Sequence, residues 1–138
     1  MQSKIIQLGR TAESPTLNLP GITLVVPNNP HSKIGNKPLM AYGCCRIPRT
    51  PSLEKTSLLS GLTLTAVELT NQIPVSINPI GTKLVFEDDI LNIGYDWAIW
   101  FRCDLQAWLN VAGRPYSFML HASLYQYLSN VIYVRMEL

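Results

Sequence analysis

The sequence predicts a single β-rich domain of the α+β class, with a mostly antiparallel sheet or sandwich and one to three short helices. Its 138 residues are the length of one domain. Short alternating or β-branched apolar runs recur between turns that contain Pro or Gly, as in sheet proteins. The clearest run predicts a strand with one buried face. The apolar positions of that run are Tyr95, Trp97, Ile99, Phe101 and Cys103.

The opposite face of this strand carries Trp100 and Arg102. We expect Arg102 to pair with a carboxylate. An indole on the polar side of a strand indicates a surface that contacts more than water.

The first 20 residues are predicted to form an N-terminal arm, and residues 21–138 the β-rich domain. Pro15 and Pro20 punctuate the arm, which has one brief extended segment at Lys4–Leu8. An arm of this kind often docks on a neighbouring subunit. The β-branched run Ile22–Val26 then predicts the first strand of the domain.

Further along, Leu39–Ile47 predicts a strand that ends at a turn with two prolines. Ser52–Ser60 predicts a short helix, because Ser52 can cap its first turn and Gly61 follows its end.

A hairpin is predicted next, with strands at Leu62–Leu69 and Gln72–Asn78 joined around residues 70–71. Pro74 has no N–H to donate, so it confines the second strand to a sheet edge or a bulge.

The last third of the chain gives mixed signals. Thr82–Ile93 suits either a helix or a strand, and we favour a strand start followed by a helical turn through Asp88–Leu91. Leu105–Val111 also suits either state. Tyr116–Leu128 places apolar residues at helical spacing and predicts a helix. Val131–Met136 predicts a closing strand.

The composition predicts self-association. Charged residues make up 14% of the chain and hydrophobic residues 47%, whereas about 25% charged residues is usual in soluble domains. A homo-oligomer buries apolar area that a monomer would expose.

The charges divide unevenly around a net +2. Residues 1–55 hold seven basic and two acidic side chains, and residues 56–138 hold four basic and seven acidic ones. This division suits either ordinary solvated charges or a basic face for an anionic partner.

The residue types required for common chemistries are sparse. The chain has three cysteines without Cys-x-x-Cys spacing, and two histidines, His31 and His121. No local motif supports a nucleophile–base pair of Cys44 or Cys45 with His121. The acidic run at residues 87–89 lacks the spaced ligands of a calcium loop, and no glycine-rich phosphate loop is present. The sequence therefore predicts a non-enzymatic protein without cofactor or metal.

The N-terminus lacks the apolar run of a signal peptide. We therefore expect a cytoplasmic protein with reduced thiols, or one on the inner face of a membrane or virion.

Aromatic residues concentrate in the last third of the chain, where core packing explains most of them. Trp100 and Trp108 are predicted to lie on the less buried side. They suit either subunit contact or stacking on a sugar ring, so a carbohydrate- or ligand-binding β-sandwich is the alternative function.

The segment Trp108–Leu120 contains a Gly-basic-Pro-aromatic turn. It follows the aromatic stretch 95–97 and the strand Leu62–Leu69, and in this order it resembles the core of rhabdovirus matrix proteins. The length and the opening Met1-Gln-Ser-Lys4 are similar to the small bornavirus matrix proteins. The resemblance implies an α+β fold that self-assembles, coats the inner face of a membrane and engages the ribonucleoprotein.

The resemblance makes Gly113, Arg114, Pro115 and Tyr116 candidates for the family turn. The chain departs from the family by lacking a lysine-rich N-terminal tail and a Pro-Pro-x-Tyr motif.

We thus predict a self-assembling, matrix-like structural protein associated with virions. Its candidate partners are further copies of itself and, through its basic N-terminal half, anionic lipid or a viral nucleoprotein. Direct nucleic-acid binding is not favoured, because the basic residues are widely spaced. The residues predicted to contact an anionic partner are Lys4, Lys33, Lys37, Arg46 and Arg49. Those predicted at the oligomer interface are Trp100, Trp108 and Arg114.

Overall fold

The computed structural model describes residues 6–27, 31–32, 39–50, 61–70, 72–77, 90–109 and 116–137. Strands dominate these residues, which confirms the β-rich prediction. The strands are β1 Ile6–Leu8, β2 Gly21–Val25, β3 His31–Ser32, β4 Met40–Pro48, β5 Thr63–Glu68, β6 Pro74–Ile77, β7 Ile90–Ile93, β8 Asp96–Asp104, β9 Tyr116–Leu124, β10 Tyr127–Leu128 and β11 Ile132–Glu137. A short helix, α1, spans Leu105–Leu109. The Asp104 carboxylate caps it by accepting a 3.1 Å hydrogen bond from the Ala107 N–H.

The strands form two sheets. Sheet I has the order β1–β8–β4–β2. Strand β7 also pairs with β8, on the same side as β1: β7 pairs with the first half of β8 and β1 with the last half. All its pairings are antiparallel. Sheet II has the order β3–β11–β9–β5–β6, with β10 beside the end of β9. Its pairings are antiparallel except that between β3 and β11.

The inner faces of both sheets contribute to one hydrophobic cluster. Phe101 of β8 and Leu24 of β2 come from sheet I, and Phe118 and Leu120 of β9 come from sheet II. Each of these side chains is almost completely buried. Burial of a side chain of this size stabilises the fold by about 1.5–3 kcal/mol, so this shared core holds the two sheets together.

The predicted helix at Tyr116–Leu128 is wrong, because this segment forms β9, a tight turn and β10. The apolar residues fit a period of two as well as a helical period, and Leu120, Ala122 and Leu124 are all fully buried. Pairing with β5 on one side and β11 on the other selects the strand.

Most other elements agree with the sequence predictions. The arm segment, the strands near 22–26, 39–47 and 131–136, and the hairpin of β5 and β6 are confirmed. Pro74 lies on β6, which is an edge strand of sheet II, as expected. Leu105–Val111, which suited either state, is helical over Leu105–Leu109.

Two predictions fall partly or wholly outside the described residues. The helix predicted at Ser52–Ser60 lies entirely outside them. Of Thr82–Ile93, the structure describes only Ile90–Ile93, which is strand β7. The helical turn expected through Asp88–Leu91 is therefore wrong at Ile90 and Leu91, where pairing with β8 imposes an extended backbone.

Candidate functional site

Residues 9–20, the crossover segment, connect β1 at one edge of sheet I to β2 at the opposite edge and pass over its outer face. Three hydrogen bonds hold the segment there. The Gly9 N–H donates to the Trp100 carbonyl at 2.9 Å, and Trp100 Nε1–H donates to the Pro15 carbonyl at 2.8 Å. Arg46 Nη1 donates to the Leu17 carbonyl at 2.9 Å. The arm that we expected to dock on a neighbour thus packs on the sheet of its own chain.

A small apolar cluster lies beneath the crossover segment. It consists of Cys44, Ala98 and Trp100, with Leu17 and Ile93 packed against it. Trp100 is only 6% exposed. The prediction that Trp100 lies on the less buried side is therefore wrong for the single chain, because the crossover segment covers the indole.

Of the other two residues predicted at the oligomer interface, the structure describes Trp108. Trp108 lies on α1 and packs, partly buried, against the main core. Arg114 lies outside the described residues. Trp97 is 9% exposed. The carbohydrate-binding alternative, which requires exposed tryptophans, therefore gains no support from Trp97 or Trp100.

The two described residues predicted to contact an anion have different surroundings. Arg46 Nε lies 2.7 Å from Asp96 Oδ2, and both side chains are mostly buried, so the charge of Arg46 is compensated. Arg49 is exposed, and its Nη2 donates to the Gly94 carbonyl at 2.6 Å. Lys4, Lys33 and Lys37 lie outside the described residues.

Sequence reasoning missed a second pair of cations on the outer face of sheet I. Arg102 Nε and Nη2 both donate to Gln7 Oε1, at 2.9 and 2.6 Å, rather than to the carboxylate that we expected. The Arg10 guanidinium lies over the Trp100 ring, 5.1 Å from its centroid. Within the described part of the chain, neither arginine forms an ion pair.

The three cysteines are buried and unpaired. Cys44 faces the crossover segment, whereas its neighbour Cys45 points into the main core with Cys103. Burial raises the pKa of Cys44 to about 11 and that of Cys103 to about 12, and it also raises the pKa of Cys45. All three thiols therefore stay protonated at neutral pH.

His121 lies away from these thiols. It is on β9 between two core residues, Leu120 and Ala122, so its side chain points to the outer face of sheet II. The structure therefore does not bring His121 together with Cys44 or Cys45.

The outer face of sheet II carries an apolar row that crosses four strands. Pro74 of β6 lies opposite Val67 of β5, Val67 opposite Met119 of β9, and Met119 opposite Tyr133 of β11. Met119 is 42% exposed and Tyr133 49% exposed. We call these four residues the apolar row.

Within the described residues, no cluster of His, Cys, Asp and Glu could hold a metal ion. None of the described helices is long and apolar enough to cross a membrane. Comparison of the chain with protein-family models, curated proteins and solved structures finds no match. Its function is therefore inferred from the outer faces of the two sheets.

Proposed function

We propose that the protein is a non-enzymatic, self-assembling structural subunit of the matrix type, associated with virions. Its two sheets form a β-sandwich around their shared core, and its copies associate through the outer face of sheet II. Its basic surface contacts an anionic membrane or a viral nucleoprotein.

The apolar row is the observation that carries the self-assembly half of this proposal. Its four side chains lie in cross-strand register, so they form one continuous stripe on a sheet face. A second copy that covers the stripe would remove Met119 and Tyr133 from water. The low charge content of the chain, 14%, supports the same conclusion.

The solution mass, measured by light scattering over a wide concentration range, tests self-assembly. We expect a multiple of the 15.5 kDa chain mass that falls on dilution. Met119→Lys places a charge in the stripe and should give the monomer mass throughout. Tyr95→Lys is the matched control, because Tyr95 is 89% exposed in the turn before β8 and lies outside the apolar row. A wild-type protein that stays monomeric at the highest concentration contradicts self-assembly.

Sedimentation with vesicles tests the proposed contact between the basic surface and an anionic membrane. Binding should require anionic lipid and weaken as salt shortens the Debye length from about 10 Å at 0.1 M to about 3 Å at 1 M. Charge reversal at Lys33, Lys37 and Arg49 together should reduce it. Arg46 is left unchanged, because its pair with Asp96 belongs to the fold. Vesicle binding that is unchanged by these charge reversals contradicts the proposal that the basic N-terminal half contacts the membrane.

A further inference from the structure

Arg102 is held in place by a neutral partner, and no described carboxylate forms an ion pair with it. A guanidinium has five N–H donors, and the Gln7 amide oxygen accepts from Nε and Nη2 only. Among the described residues, no hydrogen-bond partner is seen for Nη1 or for the second N–H of Nη2. Nη1 lies beside Gly9, 3.8 Å from the position that a Cβ would occupy there. A neutral partner thus fixes the orientation of this guanidinium and leaves its charge in place.

Arg10 supplies a second oriented cation on the outer face of sheet I. It follows Gly9 in the chain, and its guanidinium lies over the ring of Trp100. Trp100 and Arg102 are two residues apart on β8 and face the same side, a spacing of about 7 Å. Gly9 links the two sites, because it precedes Arg10 in the chain and lies beside Arg102 Nη1, so both guanidiniums belong to the same part of the outer face of sheet I.

Among the described residues, no carboxylate forms an ion pair with either arginine. Arg46, which donates to the crossover segment at Leu17, is neutralised by Asp96. Asp104, the carboxylate on the same face as Arg102, keeps its charge but is engaged in the hydrogen bond that caps α1 and forms no described ion pair with Arg102. Tyr42 lies directly across from Arg102 in the strand register and adds a phenol to this part of the face.

We propose that Arg10 and Arg102 bind a phosphate monoester group displayed on a lipid surface. A phosphate monoester carries close to two negative charges and three acceptor oxygens, which match two cations that form no ion pair within the described residues. Guanidinium groups bind phosphate oxygens through paired N–H donors. The site gives the proposed membrane contact a specific headgroup chemistry, and in this respect the inference rests on the proposed function.

Vesicle binding with two headgroup types tests the site. Phosphatidylcholine vesicles that contain phosphatidic acid, a monoester, should bind more tightly than vesicles of equal charge that contain phosphatidylglycerol, a diester. Arg10→Gln and Arg102→Gln should each weaken binding to phosphatidic acid by roughly tenfold, as expected for loss of a charge-assisted hydrogen bond. Arg135→Gln on sheet II changes the net charge equally and should stay within about twofold.

Arg102→Lys is a second variant that keeps the charge and the aliphatic stem, so it distinguishes loss of the site from loss of the fold. Lysine cannot donate two parallel hydrogen bonds to Gln7 as Arg102 does. We therefore expect an affinity for phosphatidic acid between that of the wild type and that of Arg102→Gln. Equal binding by Arg102→Gln and the wild type overturns the site. If Lys33, Lys37 and Arg49 reversal still weakens binding in that case, the proposed function stands without it.

Inorganic phosphate separates a lipid source from a soluble one. The melting temperature of the wild type should rise with phosphate, relative to chloride of equal ionic strength, and that of Arg102→Gln should not. A phosphate-dependent rise without vesicle binding overturns the lipid assignment. If neither the phosphate-dependent rise nor vesicle binding is observed, both the site and the proposed membrane contact are overturned. Single-stranded RNA that displaces the protein from phosphatidic acid and depends on the same arginines also overturns the lipid assignment.

Discussion

The ring of Phe101 occupies the space that a side chain at Gly43 would need. The two residues lie directly opposite each other on β8 and β4. A Cβ at Gly43 would lie 2.1 Å from Phe101 Cζ and 2.5–2.6 Å from both Cε atoms. Phe101 is fully buried in the core that the two sheets share, so its ring cannot move aside cheaply.

Gly43→Ala should therefore lower the free energy of unfolding by about 1–3 kcal/mol or more, the usual cost of overpacking. Urea unfolding measures it as a lower midpoint at an unchanged slope. Gly61→Ala is the control, because its new Cβ would meet Leu124 Cδ1 at an ordinary 3.6 Å, and we expect a change within about 0.5 kcal/mol. Adding Phe101→Leu to Gly43→Ala should recover part of the loss. Equal midpoints for the two glycine variants would argue against this packing.

The indole hydrogen bond to Pro15 should keep the crossover segment closed over Cys44. Trp100→Phe removes that donor and should favour opening by about 0.5–1.5 kcal/mol, the net value of one hydrogen bond. Labelling of Cys44 by a thiol reagent should then accelerate about 2- to 10-fold.

Cys45 and Cys103 serve as internal references for this labelling, because both lie in the main core. They should react only on global unfolding. If all three thiols react together in Trp100→Phe, the crossover segment does not open separately from the rest of the fold.

Stability should fall above pH 9 partly because of Cys44. Its ordinary pKa is 9.0, and burial raises the pKa to about 11 in the folded state. The unfolded chain therefore loses this proton first, and the stabilisation present below pH 9 is lost as pH rises through about 11. Cys44→Ala should show a shallower decline of melting temperature between pH 9 and 11 than the wild type. Parallel declines would contradict the contribution of this thiol.

Asn130 should protect the edge of β2. Its Oδ1 accepts from the Leu24 N–H at 2.9 Å, and its Nδ2 donates to the Leu24 carbonyl at 3.0 Å. Among the described strands, β2 is the last of sheet I, and an unpaired edge recruits other strands. Asn130→Ala should cost about 1–3 kcal/mol and increase aggregation on warming. The control is Asn92→Ala, at an exposed position on β7. Equal aggregation of the two variants would contradict the protection of the β2 edge by Asn130.

Local patterns were sufficient where one face of a strand is buried. In β4 and β8 the apolar alternation alone predicts the strand, because a period of two depends only on chain neighbours. The same reasoning failed at β9, since Phe118, Leu120, Ala122 and Leu124 satisfy the period of a strand while their neighbours complete a helical spacing. The pairing partners β5 and β11, which decide the matter, are remote in sequence.

The candidate site shows the same limit. The sequence by itself determined a β-rich fold, a low charge content and an outward-facing Arg102, because these follow from composition and alternation. It could not distinguish Arg46 from Arg102, which occupy similar outward positions on neighbouring strands. The tertiary structure alone places Arg46 against Asp96, 50 residues away, and Arg102 against Gln7, 95 residues away. Charge compensation depends on distance in space, and strand register, rather than chain neighbourhood, sets that distance.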